Sequence, residues 1–202
     1  FIDNSGVTLI LGDNLFHGDF LANRLQKNYL LNEGASIFAY SVIDPERYGV
    51  VEFDSKGVVY NIVEKPKDPK SKFAITGLYF YDNSVVEKAK QIKPSDRGEL
   101  EITDLNKLYM EEGKLIVEKM NRGMTWLDTG TTDSLHEASS YIRLLEKRQG
   151  QKIGCPEEVA WRMGFIDNDQ LYSLSLDLLK SGYGQYLQSI LNERKNSLGS
   201  QK

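Results

Sequence analysis

One cysteine and two histidines in 202 residues leave little soft or imidazole chemistry to work with. A lone thiol rules out an internal disulfide, and so few such ligands argue against a zinc site. Cys155, beside Pro156 and Glu157, reads as a structural thiol rather than a nucleophile. An excess of basic charge is also missing, the formal net charge being −4. No basic surface to track a phosphate backbone is expected, so nucleic acid is not a partner. No apolar run approaches the roughly 18 residues of a membrane span. No charged-then-apolar leader opens the chain, so no membrane role or export is expected and a cytoplasmic setting is. No Gly-x-Gly-x-x-Gly turn follows a strand-like segment, which weakens the case for a dinucleotide-dependent oxidoreductase.

What is present is ordinary globular composition, 40% hydrophobic and 27% charged, in a length that suits one large or two small domains. The chain opens at Phe1 and soon reaches Val7-Thr8-Leu9-Ile10-Leu11. That run reads as a strand buried on both faces inside a parallel sheet, which implies neighbouring sequence upstream. A helix over 19–28 follows, then a strand over 35–42. Residues 50–53 and 58–63 flank Asp54-Ser55-Lys56-Gly57, a hairpin signal with glycine at the left-handed position. A long β-branched and aromatic strand spans 73–81, and Asp82 or Asn83 caps a helix over 84–90. A helix over 101–111 presents Ile102, Leu105, Leu108 and Tyr109 on one face. Strands over 115–120 and 125–127 precede a helix over 134–149. Three further helices, 156–164, 169–179 and 183–194, have no strand between them, and a polar tail from Lys195 is expected to fray. The pattern predicts an α/β core over 1–150, with 44–81 as a β-rich insertion, and a helical region over 151–202.

Four places carry chemistry. Gly12-Asp13-Asn14 ends an apolar strand, where an open α/β sheet binds its ligands, although an Asx turn or helix cap would use Asp13 as well. Trp126-Leu127-Asp128-Thr129 repeats the arrangement, with an N-cap as its plainer use. Two strand-end carboxylates sharing one cleft are what Mg²⁺ takes from a protein. Val63-Glu64-Lys65-Pro66 offers an acceptor for sugar hydroxyls and a point charge for a phosphate, or simply a solvated ion pair. Arg97, in a loop before a helix, suits bidentate phosphate binding, while the acidic residues after it suit a helix first turn.

Taken in order, several segments resemble one family. They are Leu11-Gly12-Asp13-Asn14, Asp44-Pro45-Glu46-Arg47-Tyr48-Gly49-Val50-Val51, Glu64-Lys65-Pro66, Thr76-Gly77-Leu78-Tyr79, Arg97-Gly98-Glu99-Leu100-Glu101-Ile102-Thr103-Asp104 and Trp126-Leu127-Asp128-Thr129-Gly130-Thr131. Together they resemble the bacterial glucose-1-phosphate thymidylyltransferases, over nearly the whole chain. The resemblance implies a Rossmann-like mixed sheet of the nucleotidyltransferase, GT-A-like type, lacking its N-terminal side. It implies Mg²⁺ on Asp13 and Asp128. It implies glucose hydroxyls held by Glu64 and the backbone of Gly49 and Ile75, with Tyr79 lining the pocket. Lys65 and Arg97 would grip the sugar phosphate. A second, regulatory nucleotide site would take Gly18, Arg122, Glu158, Val159 and Arg162.

The substrates so implied are dTTP and glucose 1-phosphate, with a dTDP-sugar as feedback inhibitor and a homotetramer as the assembly. The family's Gly-rich loop with its Arg and Lys, which cradles the triphosphate, has no counterpart in these residues. A related pyrophosphorylase using UTP, CTP or ATP is therefore the near alternative. A catalytically inactive binding or assembly module is the distant one.

Overall fold

The computed structural model describes residues 2–19 and 21–199, the side chains of 194–199 excepted. The chain forms two compact units, Phe1–Leu135 and His136–Lys202. In the first lie strands β1 (Val7–Ile10), β2 (Asn14–Gly18), β3 (Ala35–Ser41), β4 (Gly49–Phe53), β5 (Val59–Glu64), β6 (Phe73–Tyr81), β7 (Leu115–Lys119) and β8 (Met124–Asp128). Helices α1 (Leu21–Tyr29), α2 (Val85–Ala89) and α3 (Ile102–Glu111) accompany them. The long helix α4 (Thr132–Gln149) spans the boundary, and α5 (Pro156–Arg162), α6 (Asn168–Asp177) and α7 (Tyr183–Gly199) belong to the second unit.

The main sheet runs β5-β4-β6-β3-β7, with β1 also on β6, and β2 and β8 form a second, two-stranded sheet. Every pair is antiparallel except β3–β7, so the sheet is mixed. Successive side chains of β6 point to opposite faces. Ile75, Tyr79 and Tyr81 pack with Leu105 and Tyr109 of α3. Ala74, Leu78 and Phe80 pack with Met120, Met124 and Trp126, against which Leu21 and Leu25 of α1 are laid. The second unit has its own core of Cys155, Trp161, Leu171, Tyr186, Leu187, Ile190 and Leu191, so the single thiol is a packed, buried group.

Most elements fall where the periodicity puts them, and the hairpin turn is the expected one: Gly57 has φ +81° and Asp54 Oδ1 accepts the N–H groups of Lys56 and Val58. Some expectations are overturned. The Val7–Leu11 run is not a doubly buried strand of a parallel sheet. Among the described residues β1 pairs only with β6, antiparallel, and Leu9, Ile10 and Leu11 are exposed. Residues 14–18 form a strand that the turn-like Gly12-Asp13-Asn14 concealed, and α1 accordingly starts at Leu21 rather than at Asp19. The inner face of α3 is partly polar, since Thr103 and Asn106 are buried beside Leu105 and Tyr109. Helix α7 continues past Arg194 to Gly199, and the rest of the expected tail, residues 200–202, lies outside the described residues.

The turn from β6 into α2 is organised by Asp82 rather than by a simple cap. Ser84 occupies the N-cap position, but its side chain does not cap the helix; the Asp82 carboxylate accepts from Gly34 N–H, Ser84 N–H, the Ser84 hydroxyl and the Tyr109 hydroxyl. Burial alone would raise the Asp82 pKa, but these bonds outweigh it and hold the carboxyl below its ordinary value. A depressed folded-state pKa means that its stabilisation is complete above the unfolded value of about 4 and is lost as pH falls through the folded value. Replacing Asp82 with Asn should therefore lower the urea midpoint at pH 7, and the gap to wild type should narrow at pH 3. A gap that stays constant with pH would show that the charge plays no part.

Candidate active site

Strand pairing brings the two aspartates together. Asn14 is opposite Asp128 in the β2–β8 ladder, and the backbone carbonyl of Asp13 accepts from both the N–H and the hydroxyl of Thr129 at 2.8 Å. A Cβ placed on Gly130 would lie 3.3 Å from Asp128 Oδ1 and 3.7 Å from Asp13 Oδ2. Neither carboxylate is consumed as a helix cap: Asp128 Oδ1 accepts from Gly130 N–H, and the entry to α4 is closed by reciprocal bonds between Thr131 and Ser134. Two hard carboxylate oxygens converging on a space kept clear by a glycine fit an octahedral hard cation with open positions. Among the described residues no cluster of three or more His, Cys, Asp or Glu side chains forms a richer metal site.

A second constellation lies at the far ends of the β4–β5 hairpin. Gly49 is opposite Glu64 in register, and a Cβ on Gly49 would meet Thr103 Oγ1 at 2.8 Å, Glu64 Oε2 at 3.1 Å and Ile75 Cδ1 at 3.5 Å. The Thr103 hydroxyl donates a short hydrogen bond to Glu64 Oε2, and Arg97 Nη1 is 3.6 Å from Glu64 Oε1. Arg97 also pairs with Glu99 at 2.8 Å and with Glu101 at 3.5 Å, inside a turn closed by Gly98 at φ +76°. Burial, and then the charge of Glu64, raise the pKa of the Tyr79 phenol, which stays a neutral wall of this pocket. Lys65 sits at φ +41°, the left-handed region that a side chain rarely adopts, with its N–H on the carbonyl of Tyr48. Strain of this kind, about 1–3 kcal/mol, is typical of sites that the surroundings over-determine.

One hydrogen-bonded link and one ring contact tie the two groups together. Tyr48, which accepts from Lys65 and precedes Gly49, packs edge-on against Trp126 with centroids 5.1 Å apart, and Trp126 is two residues before Asp128. Asn14 Oδ1 accepts from Trp126 Nε1 at 2.6 Å and from Gly77 N–H at 2.9 Å. Thr103, Trp126 and Asn14 thus stand in the site without having been assigned a role from sequence, although each falls inside a segment whose order was informative. The residues proposed for a regulatory site divide between the units. Gly18 packs on the backbone of Gly123 and Met124 next to Arg122, while Glu158 and Arg162 form an ion pair on α5, which also carries the exposed Val159.

Paired strand-end carboxylates and a polar cluster around Glu64 thus stand together on one mixed α/β unit. The chain belongs to the nucleotidyl transferase family, whose profile matches residues 1–144. Its relatives within that family are glucose-1-phosphate thymidylyltransferases. The protein of that name from Mycolicibacterium smegmatis is 53% identical over 191 residues, covering 95% of this chain and 66% of that one. Its counterpart from Neisseria meningitidis is 50% identical over 193 residues, covering 96% and 67%. The chain thus spans about two thirds of the length of the curated relatives it matches. A crystal structure of a Bacillus anthracis protein assigned as a glucose-1-phosphate thymidylyltransferase, in complex with a sucrose, superposes with TM-score 0.62 at 42% identity, over 70% of this chain and 56% of that one. A UDP-glucose pyrophosphorylase complexed with UDP-glucose gives 0.56 at 25%, over 69% and 57%. Among the described residues no helix is long and apolar enough to cross a membrane.

Gly77 tests the geometry directly. A Cβ there would lie 2.6 Å from Asn14 Oδ1 and 2.8 Å from Leu11 Cβ, closer than either can tolerate. Gly77→Ala is expected to cost about 1–3 kcal/mol through overpacking, read as a lowered urea midpoint. An unchanged midpoint would mean that Asn14 is not held against β6.

Proposed function

We propose that these residues bind glucose 1-phosphate and a divalent cation in a reaction that joins the sugar phosphate to dTTP, yielding dTDP-glucose and pyrophosphate. The observation that carries this reading is the convergence of the Asp13 and Asp128 carboxylates close to a cradle of Gly49, Glu64, Ile75 and Thr103 edged by Arg97. Glu64 accepts from sugar hydroxyls, and the bare backbone of Gly49 lets a sugar approach closely. Lys65 and Arg97 hold and aim the phosphate, Arg97 by exchanging one of its carboxylate partners for phosphate oxygens. An oxygen of that phosphate attacks the α-phosphorus of dTTP, and the bond to the departing pyrophosphate breaks. The nucleophile is already anionic, so no side chain need act as a general base, and positioning supplies much of the acceleration. Mg²⁺ held by Asp13 and Asp128 would neutralise charge on the phosphates.

The names of the relatives favour dTTP over UTP, CTP or ATP, and pyrophosphate release measured with all four separates these readings. The same resemblance supports a homotetramer in the cytoplasm, a dTDP-sugar inhibitor acting through Gly18, Arg122, Glu158, Val159 and Arg162, and a supply of dTDP-sugar to polysaccharide synthesis.

Lys65→Ala is expected to weaken glucose 1-phosphate binding at least about tenfold by calorimetry while leaving dTTP binding nearly unchanged. Equal losses for both ligands would remove Lys65 from the sugar-phosphate site. Asp128→Asn is expected to lower pyrophosphate release by about 100-fold or more while keeping the affinity for glucose 1-phosphate. Near-normal turnover at ordinary Mg²⁺ would refute the metal assignment.

A further inference from the structure

The side chain of Asn14 makes three hydrogen bonds within the site, and catalysis as described makes no use of it. Its Oδ1 accepts from Gly77 N–H at 2.9 Å and from Trp126 Nε1 at 2.6 Å, and its Nδ2 donates to Asp13 Oδ1 at 2.9 Å. The orientation of the amide follows from chemistry: a backbone N–H and an indole N–H can only donate, so the atom facing both is the oxygen. The amide nitrogen is thereby turned towards Asp13. One oxygen of that carboxylate is occupied, and the other, Oδ2, is the one that reaches within 3.7 Å of the Cβ position of Gly130, where Asp128 also converges. Gly77 leaves the space in which this amide sits.

We infer that Asn14 is a positioning residue for the cation site: it fixes the Asp13 carboxylate in the rotamer that presents Oδ2 to the space shared with Asp128. This rests on the reading of Asp13 and Asp128 as cation ligands. Partners of this kind, which bond to a ligand rather than to the ion, raise affinity by holding the ligand in its binding geometry. The arrangement is economical. A single amide bonds to β6 through Gly77, to β8 through Trp126, and to the carboxylate itself, so a shift of either strand is transmitted to the Asp13 carboxylate.

The test is Mn²⁺ titration of the protein followed by electron paramagnetic resonance of the free ion, with circular dichroism melts to establish folding. Mn²⁺ shares the carboxylate and water preference of Mg²⁺. Asp128→Asn should abolish the site. Asn14→Ala should weaken it by about 10–100-fold, the range expected for loss of a ligand-orienting partner. Trp126→Phe removes the indole donor and trims the ring that packs on Tyr48, but leaves the Asn14–Asp13 bond, so it should change affinity by less than about threefold. If Asn14→Ala does not fold, Asn14→Ser, too short to span from Gly77 to Asp13, is expected to show the same loss. Wild-type affinity in the Asn14 variant, alongside loss in Asp128→Asn, would overturn the positioning role alone. Equal weakening in Trp126→Phe and Asn14→Ala would overturn it too, by showing general loosening of the strand. No Mn²⁺ binding by the wild type, or binding retained in Asp128→Asn, would overturn the cation reading and this inference with it.

Discussion

Everything in the first unit hangs on the way one strand is shared. Along one edge, β6 pairs with β3 at both ends, with a break in register between Ile37 and Ala39; along the other, β4 takes Phe73 and Ala74 while β1 takes Leu78 to Tyr81. Between those two partners the edge is open, and a buried edge without partners is costly. The gap is closed at Gly77, whose carbonyl accepts from Leu11 N–H and whose N–H is taken by the side chain of Asn14. Adjacent strands that part company leave a crevice, the place where ligands enter open α/β sheets. Ile75 and Tyr79, on either side of Gly77 and pointing the same way, line one bank of it. The Asp13–Asp128 pair and the Glu64–Thr103 cluster are therefore drawn to the same strand, which changes partners between them.

The guanidinium of the site is paired before any ligand arrives. Arg97 has three carboxylates within 3.6 Å, from Glu64, Glu99 and Glu101, although two of those contacts are long. Contacts near the 4 Å limit, on a group that is partly solvent-exposed, are worth little. A phosphate offering bidentate geometry can replace them at small cost. Glu64, by contrast, is committed through Thr103 on α3, so the acid is the fixed member of the pair and the guanidinium the adaptable one.

How much of this was legible in the sequence depends on range. Local signals were sound: Asp54 to Gly57 gave the hairpin turn, and the helical periods of 156–194 gave a strand-free region. Failures arose where a long-range partner decides. Val7–Leu11 is apolar enough for a central strand, yet among the described residues it has one neighbouring strand, and Thr8 to Leu11 are exposed in a row. Residues 14–18 carry a weak strand pattern, and only their register with β8 makes them one. Thr103 and Asn106 look like solvent-side residues of an amphipathic helix until Glu64 and the Tyr81 hydroxyl are placed opposite them. Asp13 and Asp128 were individually indistinguishable from turn and cap residues. Their proximity follows from strand pairing, which the order of motifs could suggest and periodicity could not.

The glycines separate these two kinds of information. Gly57 and Gly98 have positive φ and nothing within 4 Å of a would-be Cβ, so each is there for the turn it makes, and turn patterns recover such positions. Gly49, Gly77 and Gly130 have ordinary φ values, and each would collide with or crowd a polar side chain of the site: Glu64 and Thr103, Asn14, or the two aspartates. Their backbones do not require glycine; their neighbours do. A glycine inside or just beyond a strand, where no turn needs it, thus marks room reserved for a group that arrives from elsewhere in the chain. In this chain three such reservations fall among the residues of the carboxylate pair, of Asn14 and of the Glu64–Thr103 pair.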